Sequence, residues 1–146
     1  MHQVAAVKEK IDQGQILLLA GDERLLGQLP AGNWIGGSIP YFMTDQGGLS
    51  TPDRLYVTEL PGCVSNVSIT VYNKDTIANV YTDAAKNGFS IIIIPASSPT
   101  HLEFALHAPN YQDFAIRPLV GWISGVHLDD LGKISPKVFS GPTHAI

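Results

Sequence analysis

Gly32-Asn33-Trp34-Ile35-Gly36-Gly37-Ser38-Ile39-Pro40-Tyr41-Phe42 is the stretch on which the fold of this chain turns. Apolar residues on both sides mark it as a strand, yet a glycine pair sits in its middle. Glycine loses more backbone entropy on folding than any other residue and packs no side chain, so the pair weakens the strand that holds it. A sequence that keeps it needs a close backbone approach there, by a ligand or by another segment of chain. Trp34, Tyr41 and Phe42 flank Gly36, Gly37 and Ser38, giving the gap aromatic walls. Such a gap suits a small, partly apolar ligand held by backbone groups and the Ser38 hydroxyl. It suits equally a helix or crossing strand packed against the glycines.

Outward from this strand the chain alternates helix and strand patterns. Val4, Val7 and Ile11 recur at helical spacing, and Gly14 stands where a helix stops. Gln15 to Ala20 is a short continuous apolar run, the pattern of a buried strand. Asp22 to Leu29 reads as a short helix with acidic residues in its first turn and Pro30 ending it. The glycine strand, Asn33 to Met43, is interrupted again by Pro40, and turn or loop signals follow at Asp45 to Gly48 and Ser50 to Asp53. Leu55 to Glu59 and Val64 to Tyr72 read as strands, the second alternating apolar Val67, Ile69 and Val71 with Ser68, Thr70 and Tyr72. Asp75 to Gly88 is the clearest helix: Asp75 caps it, and Ile77, Val80, Tyr81 and Ala84 share a face. Phe89 to Ile94, with four successive isoleucines, reads as a central strand covered on both faces. Ser98 and Pro99 are a favoured start for a helix to about Ala108. Leu119 to Ser124 and Lys137 to Ser140 supply the last strands. These elements predict one α/β domain over residues 1–146, built on a mixed, mainly parallel sheet flanked by helices, with antiparallel strands expected from the middle portion, Leu55 to Tyr72. Ser135 to Ile146 alternates turn residues with isolated apolar ones, as in a chain that stops before its next element; the domain is expected to be incomplete at that end.

Composition narrows the partners. Charged residues make up 15% of the chain, against roughly 25% in typical soluble domains. So few charges leave apolar surface for a second copy or a further C-terminal domain to cover. The net charge is −4, and the nine Lys and Arg residues are scattered, which argues against a nucleic-acid partner. Met1 to Lys10 lacks a signal-peptide core. The longest apolar runs, Ile16 to Ala20 and Ile91 to Ile94, are too short to span a bilayer. A single cysteine, Cys63, excludes an internal disulfide and suits a reducing compartment. A cytoplasmic protein with no membrane partner is expected.

No complete catalytic signature is present. The strand-to-helix turn Pro95-Ala96-Ser97-Ser98-Pro99-Thr100-His101 gathers hydroxyls and an imidazole where α/β sheets hold ligands, at a strand's carboxyl end beside a helix N-terminus. Capping explains the same residues without a ligand, and the glycines of a nucleophile elbow are missing around both serines. His2, His101, His107, His127 and His144 show no His-Glu-x-x-His spacing, so neither a metal nor a cofactor is expected. His127 with Asp129 and Asp130 reads as a solvated loop. Ala20-Gly21-Asp22-Glu23 follows a strand and opens a helix, but it lacks the dinucleotide glycines, and its two carboxylates repel phosphate.

Ile16-Leu-Leu-Leu-Ala-Gly-Asp-Glu, followed by Leu29-Pro and Gly36-Gly37-Ser38, resembles the start of FIST-type sensory domains. Gly32 to Met43 and Pro118-Leu-Val-Gly-Trp-Ile-Ser-Gly-Val126 resemble uncharacterised bacterial proteins related to that group, over most of the chain. The resemblance implies small-ligand binding in signalling and brings no catalytic residue with it. The leading expectation is a non-enzymatic domain that binds a small molecule through Trp34, Gly36, Gly37 and Ser38, joined by Ser97, Ser98 and His101 if the two strand ends adjoin. Two alternatives stand beside it. One is a hydrolase or transferase using Ser98 or Cys63 with His101 or His127. The other is a structural domain assembling through its glycine-rich strand.

Overall fold

β1 (Leu17–Gly21) is apolar throughout, and the two-residue alternation of a strand puts Leu17 and Leu19 on its buried face. In the computed structural model, which describes the backbone of residues 1–141, 144 and 145 and the side chains of residues 1–141, that face meets two helices. α1 (Val4–Asp12) contributes Val7 and Ile11, and α2 (Glu23–Leu26) contributes Leu26. Trp34, Leu29, Leu55 and Phe139 complete this core. Gly14, at φ +76°, lets the chain turn out of α1.

β2 (Trp34–Ser38) lies beside β1 in parallel, with Leu19 opposite Gly36 and Ala20 opposite Gly37. β3 (Tyr41–Thr44) and β4 (Gly47–Ser50) form a separate hairpin. β5 (Tyr56–Glu59) returns antiparallel to β1. β6 (Ser90–Pro95), α3 (Pro99–His107) and β7 (Leu119–Ser124) form a βαβ unit whose two strands pair in parallel. β8 (Val138–Ser140) then pairs antiparallel with β2, and β9 (His144–Ala145) with β8. The five-stranded sheet runs β5-β1-β2-β8-β9, and β6–β7 is a separate two-stranded ribbon.

The expected mainly parallel sheet flanked by helices is overturned. Of six strand pairs among the described residues, four are antiparallel. Parallel neighbours need a crossover to carry the chain back to the same end, and β1–β2 and β6–β7 are the pairs whose two strands are consecutive and joined through a helix. The segments leading into β5 and β8 supply none, so those strands arrive reversed. Three further expectations fail locally. Val64 to Tyr72 forms no strand, and Val67 and Val71 stay exposed with no neighbouring strand to satisfy their backbone. Asp75 to Gly88 holds only a 3-10 turn at Ile77–Val80. There the Asn73 side chain accepts the N–H groups of Asp75 and Thr76, and the Thr82 hydroxyl bonds back to the Asn79 carbonyl, local bonds that compete with a helix. The isoleucine strand β6 is no sheet centre, since among the described residues it pairs with β7 alone. β4 occupies a stretch that reads as turn and loop. The expectation of an unfinished C-terminus falls partly on residues 142, 143 and 146, outside the described residues.

The two layers meet on the glycine pair. A β-carbon on Gly36 would lie 3.1 Å from Leu26 Cδ2 and from the Leu19 carbonyl oxygen, on the α1–α2 side. One on Gly37 would lie 2.6 Å from Trp122 Cη2, 2.8 Å from Ile93 Cγ2 and 3.1 Å from Ser124 Cβ, on the ribbon side. Successive strand residues face opposite ways, so the pair is squeezed from both faces. The ribbon's far face packs on a second cluster, where Ile92, Leu119 and Phe104 meet Ile77, Val80 and Tyr81.

Adding one methyl group at Gly37 should therefore cost about 1–3 kcal/mol through overpacking. Gly48→Ala, where nothing lies within 4 Å of the new carbon, should stay within about 0.5 kcal/mol. Chemical denaturation of Gly37→Ala and Gly48→Ala beside the parent checks both; equal stabilities would refute the squeeze.

Candidate functional site

At the carboxyl end of β2, Ser38 is buried and every one of its polar groups is engaged. Its hydroxyl donates to the Gly125 carbonyl (3.0 Å) and accepts from the Lys137 N–H (2.8 Å). Its own N–H donates to the Lys137 carbonyl (2.9 Å), and its carbonyl accepts from the Gly125 N–H (2.7 Å). The carboxyl ends of β2 and β7 thus adjoin, and the loop before β8 closes over both.

The glycine gap is filled by the chain itself. Trp122, Ile93 and Ser124 occupy the ribbon side of Gly37. Trp34 is a core residue, 1% exposed, whose indole N–H donates to the Pro30 carbonyl at 2.8 Å. Tyr41 stands clear of Gly37: its ring lies 5.4 Å from that of His127, and its hydroxyl accepts the Leu128 N–H. Phe42 stacks on Tyr56.

At the β6–α3 turn, sequence reasoning places the cap correctly. The Ser98 hydroxyl accepts the His101 N–H at 3.0 Å. Ser97 is held at φ +60°, a left-handed conformation few serines adopt. Its N–H donates to His101 Nδ1 at 3.2 Å. With Nδ1 accepting, the neutral ring carries its proton on Nε2, so that Nδ1 lone pair is not available to a serine hydroxyl. His127 Nδ1 likewise accepts the Asp129 N–H, capping a 3-10 turn at Leu128–Asp130. Cys63 is free and exposed. Among the described residues no group of three His, Cys, Asp or Glu side chains is placed to hold a metal. Asp22 caps α2 and pairs with Arg24, and the guanidinium hydrogen bond holds its carboxyl below the usual range.

Two hollows open on the surface, of about 450 Å³ at the β3–β4 hairpin and about 330 Å³ beside Tyr111 and Phe114. None of the residues singled out above for ligand contact lines either. Sequence reasoning missed Ser124, which is 0% exposed with a hydroxyl that has no hydrogen-bond partner among the described residues. Its only signal was position, at the end of β7 opposite Pro95.

The profile of a family of unknown function, DUF6976, matches residues 2–146. The chain belongs to that family. No curated protein and no solved structure matches it. Among the described residues no helix is long and apolar enough to cross a membrane.

The two buried serines should respond oppositely to truncation. Ser38→Ala strands the Gly125 carbonyl and the Lys137 N–H and should cost about 1–3 kcal/mol. Ser124→Ala removes a buried hydroxyl with no partner and should be neutral or stabilising by about 1 kcal/mol. Urea titrations of both variants decide it; a Ser38→Ala protein as stable as the parent would contradict the tie.

Proposed function

We propose that this domain is a non-catalytic association module whose working surface lies on α3 and the β6–β7 ribbon. One observation carries the reading. Of sixteen large hydrophobic side chains exposed among the described residues, ten fall between Phe89 and Ile134, and four of these lie on the two elements: Leu102 and Leu106 on α3, Val120 and Ile123 on β7. Leu102 and Leu106, one turn apart on α3, are each 61% exposed, and α3 has no fully buried residue. A nine-residue helix that turns two leucines outward gains nothing from them unless another surface covers them. The partner is a second copy or another protein chain. A cytoplasmic setting belongs to the same proposal, since an exposed, unpaired Cys63 suits a reducing compartment.

The test is cross-linking inside the producing cells. A photo-reactive side chain at Leu106 should yield discrete adducts. The same group at Arg24, exposed on the opposite side of β2, should yield none. Absence of any discrete Leu106 adduct, with the protein folded and abundant, would end the reading.

A second reading, small-ligand sensing, is favoured by the meeting of the β2 and β7 ends at Ser38 and Gly125 beside the α3 N-terminus. The likeness to FIST-type domains supports it. Its contacts would be Ser97, Ser98 and His101 rather than the filled gap at Gly37. A metabolite screen by thermal shift should then find a compound that raises the melting temperature by mass action, with the rise lost in His101→Ala. A screen without a hit counts against it.

A further inference from the structure

Among the described residues, β7 is hydrogen-bonded on one edge only. The Ser90 N–H donates to the Pro118 carbonyl and the Ala96 N–H to the Ser124 carbonyl, each at 3.0 Å. With the register running from Ser90 opposite Leu119 to Pro95 opposite Ser124, these bonds fix which residues face β6. Alternate residues of a parallel ladder turn their N–H and C=O to the same side. Pro118, Val120, Trp122 and Ser124 therefore face β6, while Leu119, Gly121 and Ile123 point away from it. The next member of the outward set, Gly125, has its N–H answered by the Ser38 carbonyl at 2.7 Å. Among the described residues, no recorded hydrogen bond answers the three before it.

An exposed strand with unanswered backbone groups is a template for another strand, and proteins normally blunt such edges with Lys, Pro or a bulge. This edge is not blunted. Leu119 to Val126 contains no charged residue and no proline, and Val120 and Ile123 are 61% and 40% exposed.

We infer that the outer edge of β7 joins two copies of this chain, by antiparallel pairing of β7 with β7 about a two-fold axis at Gly121. The inference rests on the association reading and names its partner. Pairing about Gly121 sets Leu119 against Ile123 of the second copy and Gly121 against its own counterpart, so each outward residue meets an outward residue. That is the self-complementarity an isologous interface requires. Because the run carries no charge, the axis brings no like charges together. Gly121 itself is required inside the ribbon, where a β-carbon would strike the Ile92 carbonyl oxygen of β6. Two ribbons of two strands become one sheet of four, past the size at which a pair of strands is marginal.

The purified chain should sediment at twice its monomer mass at high concentration and dissociate on dilution. Amide exchange at Leu119, Gly121 and Ile123 should be slow in the dimer and fast in the monomer. Val120→Lys, which places a charge beside the axis on an already exposed position, should abolish both the doubled mass and the protection while the far-ultraviolet spectrum stays unchanged. If Val120→Lys unfolds, the concentration dependence of exchange in the parent chain decides the matter. A monomer at all concentrations, or a dimer whose outward amides exchange freely, overturns the β7 pairing. The association module survives that outcome if Leu106 still cross-links to a different protein, and falls with it if Leu106 gives no adduct.

Discussion

The closeness with which two layers approach β2 governs the rest of the molecule. The helical layer meets the strand through Leu26 at Gly36, and the ribbon meets it through Trp122 and Ile93 at Gly37. Side chains at both positions would push the layers apart and open the interface along its length, since interiors are packed like crystals and tolerate few voids. Two glycines weaken a strand by roughly 0.5–1 kcal/mol each relative to alanine. Covering half of a tryptophan's surface of about 200 Å² contributes about 2–3 kcal/mol at ~25 cal/mol per Å². The contact therefore exceeds what the glycines cost.

Packing alone leaves the ribbon free to slide on β2, and Ser38 removes that freedom. Its four hydrogen bonds reach Gly125 and Lys137, 87 and 99 residues away. They tie the end of the ribbon and the start of β8 to one point. A hydroxyl that both donates and accepts leaves no group behind, which makes its burial affordable. Ser97, Ser98 and His101 spend their polar groups nearer home. They hold the start of α3 through bonds within the turn.

Most features set by neighbours in sequence were legible, the Asp75 to Gly88 segment excepted, whose local side-chain bonds displace a helix; features set by distant partners were mostly not. Ser98 with Pro99 announced the start of α3, Gly14 the end of α1, and the continuous apolar run Gln15 to Ala20 the buried strand β1, because each signal acts within a turn or a strand. The direction of β5 was anticipated, since Leu55 to Tyr72 reads as a source of antiparallel strands; that of β8 was not, because the loop leading into it carries no direction in its composition. The isoleucines of β6 read as a doubly covered strand, and both faces are indeed approached, one by Gly37 and one by Phe104 and Leu119. What the pattern did not contain was the lack of further strands beside the ribbon. Val64 to Tyr72 had the alternation of a strand but no edge to join. For the site, the glycine pair correctly signalled a close approach, while the identity of what approaches lay in Trp122, Ile93 and Ser124, far along the chain.

The same arrangement determines which surface is left for function. Parallel strands ordinarily sit in broad sheets with both faces covered and few edges open. Here the ribbon spends one face on β2 and the other on α3 and the Ile77–Val80 turn. Those contacts leave the outer edge of β7 and the outward leucines of α3 uncovered. A chain with so few charges has little else with which to keep such surface soluble. Sealing the interior at Gly37 and leaving the ribbon's edge open are thus two consequences of one packing choice. The contacts that make the fold tight also leave its remaining apolar surface facing outward.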